Sequence, residues 1–247
     1  LDRWPVLEKD RVREQASAFR GNTAWLAARA STGGTTGMPL ELLRSPESIV
    51  IEQACLDVVM QELGVDARVV RMAVLRGDNI KDPDDLQPPF WESAVGGRRL
   101  LLSSNHVSAA TLPHYVEALR SFAPEVLWVY PSAIEHFCSL VIAAGAKLHV
   151  PRVLSSSEVL KPESWALIDA ALGARIADYY GQAERVAFAY SLIPREYRFL
   201  PGYAYVELSP QETEGGWTSY EIVGTSLWNT AMPLVRYRTG DLIRVPA

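Results

Sequence analysis

The chain is poor in the residues that would mark a secreted, membrane-spanning or nucleic-acid-binding protein. Cysteine occurs twice in 247 residues, as Cys55 and Cys138, which excludes the disulfide framework of a small extracellular domain. Basic residues do not exceed acidic ones: 24 stand against 29, for a net charge of -5. A nucleic-acid partner would require a basic patch, and none is visible. No apolar run reaches membrane-spanning length, because Pro131, Glu135 and His136 interrupt the best stretch, Val126 to Ala144. The opening Leu1-Asp-Arg-Trp-Pro5 does not read as a signal peptide. The expectation is a cytoplasmic protein with no nucleic-acid partner and no membrane insertion. The four histidines, His106, His114, His136 and His149, lack a metal-ligand spacing such as H-E-x-x-H. There is no G-x-S-x-G elbow for serine hydrolysis, no internal repeat and no low-complexity segment.

What is present suffices for a large core, since 48% of residues are hydrophobic and disorder is excluded at that content. The run Ser31-Thr-Gly-Gly-Thr-Thr-Gly-Met-Pro-Leu40 stands out. Gly33, Gly34 and Gly37 permit backbone conformations closed to other residues. Ser31, Thr32, Thr35 and Thr36 supply hydroxyls, and such a loop can cradle phosphate oxygens. A plain surface turn uses the same residue types. It is not a Walker A loop, because Met38 and Pro39 follow Gly37 where that motif has lysine.

Alternating patterns predict strands at 40–43, 68–75, 98–102, 125–130, 147–153 and 174–178. Helices are expected after Pro46, from Ala109, after Pro131 and over 162–172. The stretch 77–91 reads as a loop. Strands alternating with helices imply an α/β fold, a parallel sheet with crossover helices. Beyond residue 186 short strands with Gly and Pro between them predict a smaller β-rich subdomain. The expected division is 1–195, a nucleotide- and acid-binding core, and 196–247, the β-rich part. The first residues, with a polar helix to about Phe19, read as the interior of a longer protein.

Two further runs carry chemistry. Asp178, Tyr179, Tyr180, Gly181, Gln182 and Glu184 follow a strand, at the edge where open α/β sheets bind ligands. Tyr180 can lay its ring on a flat base, and Glu184 is a hard oxygen ligand suited to Mg²⁺. The structural alternative is a strand-to-helix turn with a capping glutamate. In Tyr237-Arg-Thr-Gly-Asp241 the carboxylate can accept two ribose hydroxyls, or it is a hairpin aspartate.

The three runs in this order resemble the signatures of the acyl/aryl-adenylating superfamily. Trp128-Val-Tyr-Pro-Ser-Ala-Ile134 and Thr225-Ser-Leu-Trp-Asn-Thr-Ala-Met-Pro-Leu-Val-Arg-Tyr237 resemble its phenylacetate–CoA ligase branch, within it the CapK-like proteins. The resemblance covers nearly the whole chain. It implies ATP-dependent activation of a small carboxylic acid as acyl-adenylate, then transfer to the thiol of CoA or a carrier protein, with Mg²⁺ as cofactor. A homodimer is one open option. Ser31 to Gly37 would hold the β- and γ-phosphates, with Thr35, Thr36 and Glu184 in catalytic roles and Glu184 on the metal. Asp178 would meet the adenine amino group, Tyr180 its face, and Asp241 the ribose. Ser156, Ser157 and Glu158 stand where the family has a glycine-rich turn beside the adenine. Ala183 replaces a usual Ser or Thr. His106, Tyr130, Pro131 and Ser132 are candidates for the acid pocket; core packing is the competing account of Trp91, Trp128 and Tyr130. The family's C-terminal lid and its lysine have no counterpart before Ala247, so the expectation is a core that binds nucleotide and adenylates slowly. A non-catalytic nucleotide-binding module is the alternative.

Overall fold

The computed structural model describes residues 3–32 and 39–247. The chain forms two compact units, one of residues 57–179 and 190–198, the other of 1–56, 180–189 and 199–247. Its elements run α1 (Lys9–Glu14), β1 (Ala28–Ser31), β2 (Glu41–Arg44), α2 (Pro46–Glu62), β3 (Met72–Leu75), β4 (Trp91–Ala94), β5 (Arg99–Leu102), α3 (Leu112–Phe122), β6 (Val126–Val129) and α4 (Pro131–Ala143). Then follow β7 (Arg152–Ser156), α5 (Pro162–Leu172), β8 (Arg175–Gly181), β9 (Phe188–Ser191), β10 (Arg198–Phe199), β11 (Ala204–Glu214), β12 (Trp217–Ser226) and β13 (Tyr237–Pro246).

The 57–179 unit is built on a sheet of order β10-β9-β8-β7-β6-β3-β5-β4. β5, β3, β6, β7 and β8 run parallel. Each crossover helix starts cleanly. Prolines occupy the first turn of α3, α4 and α5, where the missing N–H costs nothing. Gly173 closes α5 in the left-handed conformation, φ 62°. Ile134, Phe137, Cys138 and Val141 of α4 are buried against Leu127, Val129 and Val153 in one apolar cluster. The expectation of a wholly parallel sheet is corrected at one edge. Trp91–Ala94, which begins on the last residue of the expected 77–91 loop and had no strand expected, pairs antiparallel with β5, so the sheet is mixed. Phe90 explains the misreading: the chain is anchored there by one buried ring, stacked on Tyr115 at 5.8 Å, and not by an alternating pattern.

In the other unit β1 and β2 pair antiparallel, Ala28 opposite Arg44 and Ser31 opposite Glu41. β11, β12 and β13 form a separate antiparallel sheet. A second apolar cluster joins Leu7, Val12, Leu40, Leu42, Val186, Met232, Leu234 and Tyr237. Among the described residues no helix is long and apolar enough to cross a membrane.

Candidate functional site

The unit of residues 1–56, 180–189 and 199–247 brings parts of all three sequence runs onto its apolar cluster. Gly33, Gly34, Thr35, Thr36 and Gly37 lie outside the described residues. The residues on either side of them are clamped: the Leu40 N–H donates to Thr32 Oγ1 at 3.0 Å, and the Thr32 N–H to the Leu40 carbonyl at 3.1 Å. Leu40 is buried in the cluster with Tyr237, and Ala183 packs against it. Ser31, at the end of β1, is exposed.

Asp241 is presented by an irregularity in β13. Glu221 pairs with Leu242 and Val223 with Arg238, so Thr239, Gly240 and Asp241 bulge out opposite Ile222 alone. Such bulges re-aim side chains. Gly240 takes φ 81°, which glycine adopts without a Cβ penalty. The Thr239 hydroxyl holds the bulge, donating to the Ile222 carbonyl at 2.8 Å and accepting the Asp241 N–H at 3.0 Å.

The strand β8 extends three residues further than its sequence pattern suggests, through Tyr180 and Gly181. The Tyr180 hydroxyl donates to Asp241 Oδ2 at 2.6 Å and accepts from Gln182 Nε2 at 3.0 Å. Gln182 Oε1 in turn accepts the Ala187 N–H at 3.2 Å. Two distant runs are thus joined by one hydrogen-bonded chain. Asp241 is exposed as a residue, yet desolvation of its carboxyl raises its pKa, and neighbouring Glu184 adds to that while the Tyr180 hydrogen bond opposes it.

Glu184 is buried, 5% exposed. Its Oε1 accepts the Tyr237 hydroxyl at 2.9 Å and faces the Lys9 ammonium at 3.4 Å. Lys9 reaches it because the preceding segment is zipped to β13: Leu7 bridges Tyr237, with its N–H on the Arg236 carbonyl at 2.8 Å and its carbonyl on the Arg238 N–H at 3.0 Å. The Ala183 carbonyl accepts both Arg44 Nε and Nη2, at 3.1 and 3.0 Å. Among the described residues no group of three His, Cys, Asp or Glu side chains is arranged to hold a metal. A Mg²⁺ ion at Glu184 would take one protein carboxylate and complete its shell from phosphates and water, its usual preference.

Sequence reasoning passed over Lys9, which lies in a polar helix outside the motifs, and treated Tyr237 only as the first letter of a run. Both are partners of Glu184. Tyr237→Phe removes a hydrogen bond to a buried carboxylate, worth about 1.5–3 kcal/mol. Urea unfolding should show a loss of that order, and an unchanged midpoint would show that the Tyr237–Glu184 bond contributes nothing.

In the 57–179 unit, Asp178 is 2% exposed at the end of β8. Burial pushes its carboxyl up to about 6, against the Tyr197 hydroxyl that donates to Oδ2. Among the described residues Oδ1 makes no hydrogen bond of good geometry, and the Ser155 hydroxyl joins Tyr197 in opposing the shift. Ser156 is buried at the end of β7. Ser157 has φ 75°, the left-handed conformation a glycine would hold without strain. Glu158 turns to α4, accepting the Ser132 N–H at 2.8 Å and its hydroxyl at 3.0 Å, so this carboxylate caps the positive end of a helix that opens with Pro131. Tyr179 lies 6.4 Å from Trp128, ring to ring. His106 is packed inside, 4% exposed. Its Nδ1 meets Ser103 Oγ at 2.7 Å, its Nε2 the Asp82 carbonyl at 3.2 Å, and its ring stacks on Phe90. Both nitrogens are engaged within the protein.

No family model matches the chain. In sequence it is 22% identical over 247 residues to protein CapK of Staphylococcus aureus, covering 99% of this chain and 54% of the relative. In structure it superposes on 2-hydroxyisobutyryl-CoA ligase, solved with 2-HIB-AMP and CoA, at a TM-score of 0.64 and 18% identity over 97% of this chain and 54% of that one. The fold is that of the acyl/aryl-adenylate-forming superfamily. Mycobacterium smegmatis MbtA shares the fold at a TM-score of 0.52 and 15% identity, over 87% of this chain and 42% of its own. The chain spans about half the length of CapK and of 2-hydroxyisobutyryl-CoA ligase, coverage that fits the superfamily's N-terminal core.

Proposed function

We propose that the protein activates a carboxylic acid with ATP as the acyl-adenylate and passes the acyl group to the thiol of CoA or a carrier protein. The observation that carries this reading is the Tyr180–Asp241 hydrogen bond beside the Tyr237–Glu184 bond. The two bonds tie together two runs that the superfamily resemblance assigns to nucleotide binding. Named relatives that act on acyl-adenylates and CoA support the same reaction class.

In this reading Asp241 accepts the ribose hydroxyls, and Tyr180 holds its carboxylate in place. Thr32 and Leu40 hold the two ends of the phosphate loop. Asp178, two residues before Tyr180 on β8, offers its unpartnered Oδ1 to the adenine amino group. The substrate carboxylate attacks the α-phosphorus, the bond to the bridging oxygen of pyrophosphate breaks, and pyrophosphate leaves. Glu184 would hold Mg²⁺, which would supply charge neutralisation for the phosphates. No protein nucleophile is needed.

A second reading, a nucleotide-binding module without catalysis, is favoured by Ala183. Its methyl packs on the apolar cluster and its carbonyl is taken by Arg44, so no hydroxyl is offered where the superfamily has Ser or Thr. Pyrophosphate exchange into ATP with a panel of acids separates the two: exchange with any acid supports the ligase, and ATP binding without exchange supports the module. Asp241→Ala is expected to weaken ATP and AMP by roughly 10- to 100-fold, the value of one charged hydrogen bond. Unchanged affinity in titration calorimetry would remove Asp241 from the site.

A further inference from the structure

Among the described residues, a cation at the ligand-binding edge of the 57–179 unit has no anion in salt-bridge range. β3 ends at Leu75, and Arg76 follows it. Its guanidinium carbon lies 4.2 Å from the centroid of the Trp128 ring and 4.9 Å from that of Tyr130. The register explains the stack: Val74 pairs with Trp128 and Leu75 with Val129, so Arg76 and Tyr130 are the next neighbours on the same face. Arg76 is half-buried. Its Nε is buried without a hydrogen-bond partner, and so is Trp128 Nε1. Among the described residues no carboxylate pairs with Arg76.

Two aromatic faces fix the plane of this guanidinium, and its fork of donors matches a carboxylate. Unpaired buried donors are costly, so the arrangement is poised for an acceptor brought from outside. The place is right for a ligand, because open α/β sheets bind beyond the carboxyl ends of their strands. Asp178 lies three strand spacings away on the same edge, about 14 Å, so Arg76 does not serve the adenine end.

We propose that Arg76 receives the second carboxylate of a dicarboxylic acid substrate. The inference rests on the adenylation reading and narrows its substrate class. The second carboxylate does not react; no bond to it forms or breaks, and the other carboxylate attacks phosphorus. An aromatic monoacid, as the phenylacetate resemblance implies, would leave the guanidinium unpaired.

The test is calorimetry of the protein, with and without AMP, against succinate, glutarate and adipate and their equal-length monoacids butyrate, valerate and hexanoate. At least one diacid should bind about tenfold to a hundredfold more tightly than its monoacid counterpart. Arg76→Met keeps the length of the side chain and should erase that preference while leaving ATP affinity unchanged. Arg76→Lys keeps charge without the fork and should retain part of it; it decides the matter if Arg76→Met does not fold. Equal affinities within every pair, no diacid binding, or a preference that survives Arg76→Met each overturn the proposal. So does a loss of ATP or CoA affinity in Arg76→Met, which would assign the guanidinium to a phosphate. Failure of the adenylation reading looks different: diacid binding that depends on Arg76, with no diacid supporting pyrophosphate exchange.

Discussion

Gly224→Ala is expected to destabilise the unit that holds Tyr180 and Glu184, whereas Gly181→Ala, inside the most recognisable run, should be tolerated by the fold. A Cβ on Gly224 would lie 2.2 Å from the Val186 carbonyl oxygen and 2.8 Å from its carbon. Both are backbone atoms, so no rotamer change relieves the contact. Gly224 is in the middle strand of its sheet, paired with Val206 on one side and Tyr237 on the other. Val186 is fully buried two residues after Glu184. Either β12 or the 182–187 turn must move; β12 anchors the Asp241 bulge through the Ile222 carbonyl, and the turn carries Gln182 and Glu184. Overpacking costs about 1–3 kcal/mol even where side chains can adapt; at about 3 kcal/mol the melting temperature falls by about 6–12 °C for a chain of this size. A Cβ on Gly181 meets only Glu52 Oε1 at 3.7 Å and Phe188 at 3.8 Å, ordinary contacts. Thermal melts of the two variants compare them directly, and similar melting temperatures would refute the close-approach account.

Asp178→Asn is expected to stabilise the protein at neutral pH and to leave it unchanged near pH 4. Burial raises the native pKa from 3.8 to about 6. Below about pH 4 the carboxyl is neutral in both folded and unfolded states, and its burial costs little. Between 4 and 6 the native state retains a proton that the unfolded chain has released, so stability falls as pH rises. Above 6 the full penalty is present, about 3 kcal/mol for a shift of this size. Asparagine never ionises, and its oxygen can still accept the Tyr197 hydroxyl, so its advantage should grow across that window to about 1–3 kcal/mol. Denaturant unfolding at pH 4, 5, 6 and 7.5 measures it. A difference that is constant with pH would mean that the carboxyl is not desolvated. The carboxylate is thus held at a cost in stability, consistent with a role for its unpartnered oxygen.

Much of this was legible in the chain. Prolines at helix starts, glycines at helix ends and apolar periodicity placed α4, α5 and most of the parallel strands, because those signals act within a turn or two of the residues that carry them; β7 starts only at Arg152, five residues after the start of the strand expected at 147–153. The sequence also determined the chemistry on offer: a loop of glycines and hydroxyls, a tyrosine–glutamate run, and a carboxylate after a glycine bulge. Order and composition sufficed to expect the fold shared with 2-hydroxyisobutyryl-CoA ligase. Only the tertiary structure decided which side chains meet. Lys9 stands beside Glu184 because Leu7 is zipped to Tyr237, a pairing across 230 positions of chain that leaves no local trace. Gly224 matters because another segment's carbonyl lies against it, and Arg76 because parallel pairing sets it over two rings. The sequence offers His106 either as a packed residue or as lining for an acid pocket; its burial against Phe90 is set by a segment that leaves no mark near it in the chain. Local propensity is written in neighbouring residues; close approach and charge pairing depend on segments far apart in sequence, and only folding brings those together.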